Sequence, residues 1–222
     1  MKKPIIFCDF DGTITNTDNI IAIMKRFAPP EWEEIKDQVL SQTIPIQEGV
    51  SRMFSLLPSA SREEITDYIL NHAEIREGFK EFVAFTKEEG IPLYIVSGGI
   101  DFFVEPLLDG FVPKGQIYCN KSDFTNEKIK IVWPYTCDDE CTNKCGCCKP
   151  TLIRKFANQD DFKIVIGDSI TDLQAAKLGD KVIARDFLVQ KCEELGIEHS
   201  SFHSFFDVIE ILKKEVLTNA SN

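Results

Sequence analysis

Four consecutive apolar residues, Ile5-Ile6-Phe7-Cys8, run directly into Asp9-Phe10-Asp11-Gly12-Thr13. A short unbroken apolar run is the pattern of a strand buried on both faces, the environment of a parallel sheet covered by helices. Carboxylates two apart at the end of an extended segment, Asp9 and Asp11, point to one side, and Gly12 lets the chain turn sharply beside them. Like charges held so close repel unless a cation lies between them or one takes a proton. A bare Asp-x-Asp-Gly can also be a plain turn. Its position here, at the carboxyl end of a buried strand, is where open α/β sheets bind ligands. The expectation is therefore a catalytic edge that uses a divalent cation, magnesium.

The rest of the chain alternates in a way that completes such a sheet. Buried strands are expected over 91–96, 117–119, 164–166 and 182–184, with helices from Gly78 to Glu89, Phe102 to Leu107, Pro150 to Phe156, Leu173 to Leu178 and Phe205 to Val216. Phe124 to Val132, with Asn126-Glu127 at a turn, reads as an antiparallel excursion. Thr218 to Asn222 reads as a frayed tail. Between the first strand and this core, nothing from Asn16 to Asn71 has the pattern of a strand. Apolar residues there recur at helical spacing, broken at Pro29-Pro30 and Pro45, and Ser61-Arg62-Glu63-Glu64 looks like a helix start. We expect residues 16–74 to be an inserted helical cap, with 1–15 and 75–222 forming the core. A helical part of one continuous core is the other reading.

Three later sites add chemistry at expected strand ends or helix starts. Ser97-Gly98-Gly99 follows a strand, and its hydroxyl and backbone N–H groups can hold phosphate oxygens. Lys149 precedes Pro150 at a loop-to-helix junction, where a cation can clamp a transferring phosphoryl group. Gly167-Asp168-Ser169-Ile170-Thr171-Asp172 puts Asp168 at a strand end and Asp172 in the first turn of a helix, where acidic residues also serve as ordinary caps.

Taken in order from Asp9 to Asp172, these four elements resemble the signature set of the haloacid dehalogenase-like phosphohydrolases. The resemblance implies an α/β fold, a Rossmann-like parallel sheet core of the haloacid dehalogenase type with an inserted all-helical cap. It implies a magnesium-dependent phosphomonoester hydrolase working through an aspartyl-phosphate, with Asp9 as nucleophile, Asp11 as acid and base, and Ser97 and Lys149 holding the phosphoryl group. Mg2+ would be bound by Asp9, Asp168 and the Asp11 carbonyl, with Thr13, Gly98 and Asp172 in support. Val96-Ser97-Gly98-Gly99 and the stretch Arg52 to Pro58 are similar to the helical-cap subgroup that includes phosphoserine phosphatase. That likeness implies Asp18 and Arg52 as substrate contacts. Thr171, where phosphoserine phosphatase typically has Asn, departs from that pattern. The run Cys145-Gly146-Cys147-Cys148-Lys149-Pro150 looks most like the methionine-salvage branch of the family. Phosphoserine and phosphoethanolamine/phosphocholine phosphatases remain the alternatives within it.

Composition narrows the partners. A net charge of −11 argues against a nucleic-acid groove or an anionic membrane surface, but not against a small phosphorylated metabolite met by a metal and a lysine. No apolar run approaches the roughly 20 residues of a membrane-spanning helix. Asp9 and Asp11 interrupt the only stretch that imitates a signal peptide, so the cytoplasm is the expected location. A homodimer is one assembly open to the chain. Of the eight cysteines, Cys137, Cys141, Cys145, Cys147 and Cys148 crowd the stretch before Lys149. The spacing C-x3-C-x3-C-x-C-C is not a C-x-x-C pair repeated, and unligated thiols, a structural metal and disulfides all stay open. A reading outside enzymology is a thiol-based metal or redox module carried on an α/β scaffold.

Overall fold

The computed structural model describes residues 2–217. Strand β1 (Lys3–Cys8) leads into four helices, α1 (Asn19–Phe27), α2 (Glu31–Leu40), α3 (Ile46–Phe54) and α4 (Arg62–His72). There follow α5 (Phe79–Glu88), β2 (Leu93–Ile100), α6 (Asp101–Leu107), β3 (Ile117–Asp123), β4 (Lys130–Val132) and α7 (Lys149–Phe156). The chain continues through β5 (Asp161–Gly167), α8 (Leu173–Ala176), β6 (Lys181–Ala184), α9 (Asp186–Leu195), β7 (His199–Ser201) and α10 (Phe205–Ile211). A π-helical turn, Leu212–Leu217, ends the described residues. Thr218 to Asn222, expected as a frayed tail, lie outside them.

The seven strands form one sheet in the order β4-β3-β2-β1-β5-β6-β7, parallel throughout except for β4. The order steps from β1 outward through β2 to β3, then returns to β5 on the other side of β1. That reversal makes the carboxyl end of β1 a topological switch point, the place where such sheets open a crevice. Alternation along β1 explains its central position. Ile6 and Cys8 join the larger apolar cluster on one face, and Ile5 and Phe7 join a second cluster with Leu152, Ile153 and Val165 on the other. Burying each such large side chain contributes about 1.5–3 kcal/mol.

Prolines mark two of the boundaries among the four helices between β1 and α5. Ala28, extended ahead of Pro29, closes α1, and Pro45 stands immediately before α3. Helices α3 and α4 pack against β4 and α6, and the Phe54 ring meets that of Phe102 edge-on with centroids 6.2 Å apart. Met53 and Phe54 are 4% and 0% exposed, so they belong to the core rather than to an open surface. Among the described residues no helix is long and apolar enough to cross a membrane.

Local expectation and structure part at four places. β2 continues to Ile100, and its pairing with β3 shifts register between Val96 and Ile100. Ser97-Gly98-Gly99 is therefore an irregular strand end rather than a turn beyond the strand. Within the expected antiparallel excursion Lys130–Val132 pairs against Lys121–Asp123, and Lys128 makes a single antiparallel bridge to Pro58. The closing helix changes to a π-helical turn after Ile211. Helix α9 and strand β7 carry no strong pattern of their own. Phe187 and Leu195 of α9 are exposed, and His199-Ser200-Ser201 forms a strand because the edge of β6 offers it partners.

Candidate active site

Strand register puts the site together before any side chain is considered. Cys8 lies opposite Ile95 of β2 and Ile166 of β5, so the residues after each emerge side by side. The Asp9 amide still donates to the Ile166 carbonyl at 2.9 Å, which holds the first carboxylate at the mouth of the sheet. Gly12 then turns with φ of +81°, and a Cβ there would lie 2.4 Å from Asp168 Oδ2. Both the backbone conformation and the close approach require glycine. Thr13 Oγ1 donates to Asp168 Oδ1 at 2.9 Å, fastening the turn to the end of β5. From 63 residues further on, Arg76 donates to the Thr13 carbonyl at 2.7 Å, to that of Gly12 at 2.8 Å and to that of Thr15 at 3.2 Å.

Lys149, the first residue of α7, is 6% exposed and reaches into the centre of the acidic group. Its Nζ donates to Asp9 Oδ1 at 2.5 Å and to Asp172 Oδ1. The second oxygen of Asp172 accepts from the amides of Asp168 at 3.1 Å and Ser169 at 3.0 Å. Asp172 is thus held by its own helix start and in turn orients Lys149. Gly167 makes room for it, since a Cβ at that position would stand 2.4 Å from Asp172 Cγ.

Carboxylate oxygens of Asp9, Asp168 and Asp172 all lie within 4.8 Å of one another. Burial, and then the charge of Asp172, raises the Asp9 carboxyl well above its ordinary range, with Lys149 opposing. The same two causes push Asp168 up to about 6. Burial works to lower the Lys149 ammonium, but the charges of Asp172 and Asp9 outweigh it and leave it raised. One ammonium among three carboxylates leaves an excess of negative charge built from hard oxygen donors. That donor set fits a magnesium ion, which takes few protein carboxylates and keeps places for water and phosphate.

Asp11 turns to the other side of the crevice. Its Oδ1 accepts from Asn19 Nδ2 at 2.7 Å and from the Asn19 amide at 3.1 Å, while Ser97 Oγ stands 3.5 Å from Oδ2. Burial, followed by the charges of Asp18 and Asp9, pushes Asp11 up to about 8. A carboxyl raised in this way is suited to act as an acid. The fully buried Ser97 hydroxyl accepts from the Gly99 amide at 2.8 Å. Asn120 on β3 donates to the Gly98 carbonyl at 2.8 Å and steadies this irregular strand end.

Hydrogen bonds and ion pairs therefore connect Asp9, Lys149 and Asp172, with Thr13 tied to Asp168 and Ser97 beside Asp11. Gly98 keeps an exposed backbone at the end of β2. Asp18 is the exposed N-cap of α1, accepting from the Ile21 amide at 2.9 Å. Arg52 is not joined to the aspartates. It donates to Gln38 Oε1 at 3.0 Å and pairs with Glu48, four residues earlier in the chain, at 3.6 Å. Asn19, Arg76 and Asn120 escape sequence reasoning. Asn19 reads as an ordinary first-turn residue, and nothing near Arg76 or Asn120 marks their distant partners.

The model of the haloacid dehalogenase-like hydrolases matches residues 6–177. A 2-hydroxy-3-keto-5-methylthiopentenyl-1-phosphate phosphatase of Geobacillus thermodenitrificans is 62% identical over 213 residues, covering 96% of this chain and 97% of the relative. The enzyme of the same name from Geobacillus kaustophilus is also 62% identical, with the same coverage. Among solved structures, phosphoserine phosphatase with an analogue of its phospho-aspartyl intermediate superimposes with a TM-score of 0.68. The identity is 21%, with 96% of this chain and 99% of that one covered, a likeness of fold. The family match spans β1 through α8 and takes in every aspartate and the lysine of the crevice, and the chain belongs to the haloacid dehalogenase-like hydrolase family.

Proposed function

We propose that the protein is a magnesium-dependent phosphatase that removes phosphate from 2-hydroxy-3-keto-5-methylthiopentenyl 1-phosphate in methionine salvage, in the cytoplasm. The observation that carries the reaction is the buried Asp9 carboxylate paired with Lys149, with Asp11 two residues on and held by Asn19. Support for the substrate is the 62% identity, over nearly the whole chain, to enzymes named for that activity.

Chemistry follows from the positions of the side chains. An oxygen of Asp9 attacks phosphorus, forming an aspartyl-phosphate as the bond to the substrate oxygen breaks. Asp11 gives its proton to the departing enol oxygen and becomes a carboxylate. It then takes a proton from the water that attacks phosphorus, releasing phosphate and restoring Asp9. Lys149 offsets negative charge on the transferring group, and Asp172 keeps its ammonium in place. Ser97 Oγ and the open backbone at Gly98 hold phosphoryl oxygens. Asp9, Asp168 and the Asp11 carbonyl would hold Mg2+, which when bound supplies charge stabilisation at the phosphoryl oxygens. In this reading residues 16–74 are a cap over the crevice, bringing Asp18 and Arg52 to the substrate's head group.

Incubating the full-length protein with the keto-enol phosphate and with phosphoserine, with and without magnesium, tests the proposal. Phosphate release should need magnesium and favour the keto-enol ester by at least about a hundredfold in kcat/KM, a difference of about 2.7 kcal/mol. Equal rates on both esters would remove the substrate assignment, and full activity in excess EDTA would remove the metal.

A further inference from the structure

The loop between β4 and α7 contains a second convergent group that the phosphatase reaction does not use. Sulfurs of Cys137, Cys141, Cys145 and Cys148 all lie within 4.8 Å of one another, and those of Cys141 and Cys145 are 3.8 Å apart. All four are free thiols, so no disulfide explains the convergence. A tetrahedral ion with Zn–S bonds of about 2.3 Å has S···S edges of about 3.8 Å. The four sulfurs are thus close enough together to share one such ion, and the Cys141–Cys145 separation matches that edge.

Cys147, which obscures the spacing in the sequence, takes no part. Its sulfur contacts the Tyr118 carbonyl at 3.5 Å on the other side of the chain. Without it the ligand order becomes C-x3-C-x3-C-x2-C, and the last pair has the two-residue spacing common in zinc sites.

The surroundings hold this geometry in place. The Cys145 amide donates to Cys137 Sγ at 3.5 Å, across a turn in which Lys144 takes a positive φ of 50°. Thr151 Oγ1 donates to Cys148 Sγ at 3.1 Å and accepts from the Asp138 amide at 3.0 Å, so it ties the first arm of the loop to the last. Arg154 grips both oxygens of Asp138 at 2.8 Å and 2.5 Å, anchoring the loop to α7. Hydrogen bonds donated to sulfur are the usual partners of metal-bound thiolates.

We propose that Cys137, Cys141, Cys145 and Cys148 bind one structural zinc ion, with no open position for substrate. The site goes beyond the phosphatase reading and is separate from the magnesium-binding aspartates. Cys148 immediately precedes Lys149, so the bound ion would fix the start of α7 and the lysine it carries. Binding releases the thiol protons and changes no oxidation state.

Metal analysis of the full-length protein, purified under reducing conditions and supplied with zinc chloride, should find about one zinc per chain. Cobalt(II) in its place should give the intense visible bands and thiolate charge-transfer band of a tetrahedral sulfur site. Cys141→Ser and Cys137→Ser should lower bound zinc to under about a tenth per chain and cut Tm by about 5–10 °C. Cys147→Ser and Asp9→Asn should keep it, the latter separating this ion from the phosphatase site. Wild-type protein with neither zinc nor a cobalt spectrum would overturn the site, even if the cysteine variants fail to fold. So would iron in place of zinc, or full zinc retained in Cys141→Ser.

Discussion

Lys149–Asp9 and Arg52–Glu48 are both lysine or arginine paired with a carboxylate, but they occupy opposite kinds of place. The side chains of Lys149 and Asp9 are 8% and 5% exposed, whereas those of Arg52 and Glu48 are 46% and 52% exposed. A buried pair exists only because its surroundings hold both charges, and removing one partner costs about 3–5 kcal/mol. An exposed pair on one helix contributes about 0.3–0.5 kcal/mol. The crevice is therefore over-determined, each charge fixed by segments far apart in the chain. Arg52, by contrast, is held on a half-exposed part of the surface by Gln38 and Glu48.

The sharpest way to break this contrast is at the nucleophile. Asp9→Asn keeps the side chain's shape but cannot form the aspartyl-phosphate, so turnover should fall by at least about 10⁴-fold, on the scale of losing an activated nucleophile. Steady-state phosphate release near the wild-type rate would end the proposed mechanism. A quench experiment looking for acid-stable phosphoprotein should likewise find none.

One step out, Asp172→Asn leaves Lys149 with Asp9 alone. Turnover should drop by about a hundredfold through a misplaced ammonium, while substrate KM changes little. Stopped assays that show a change in KM only would mean that Asp172 binds substrate and does not position the lysine.

Arg76→Met tests whether the turn after Asp9 depends on its distant clamp. The carbonyls of Gly12, Thr13 and Thr15 would lose their donor, at a cost of about 1–3 kcal/mol for a buried acceptor left unpaired. Differential scanning calorimetry should register a Tm lowered by about 4–10 °C at this chain length. An unchanged Tm would show that water replaces the guanidinium at no cost.

Arg52→Ala should have the smallest effect and sharpen the other side of the comparison. Tm should move by less than about 2 °C, as for an exposed pair. If Arg52 meets the substrate head group, kcat/KM for the keto-enol phosphate should fall about tenfold, with hydrolysis of a small aryl phosphate unchanged. Equal losses on both esters would assign Arg52 to folding and not to substrate choice.

Sequence and structure divide along the same line. Asp9, Asp11, Lys149, Asp168 and Asp172 are legible because each stands where a local pattern changes, at a strand end or a helix start, and these ends meet in any sheet of this order. Asn19 and Arg76 are not legible, because their roles lie in bonds to Asp11 and to the backbone of the nucleophile turn. The irregular end of β2 is hidden for a similar reason, since it depends on register against β3. β7 has no apolar signal of its own and takes its form from the edge of β6.

By itself the sequence determined the α/β core, the five helices ahead of its second strand and the charged side chains gathered at the sheet's carboxyl edge. Hydrophobic period and strand-end polarity are short-range properties, and they survive being read one residue at a time. Only the tertiary structure decided which cysteines converge, that Cys147 turns away from the other four, and that Arg52 is paired with Gln38 and Glu48. The placing of the cysteines depends on where a loop without hydrophobic period is pinned, here by Thr151, Arg154 and Asp138. Spacing counts residues along the chain, whereas a metal or a buried charge responds to distance through space.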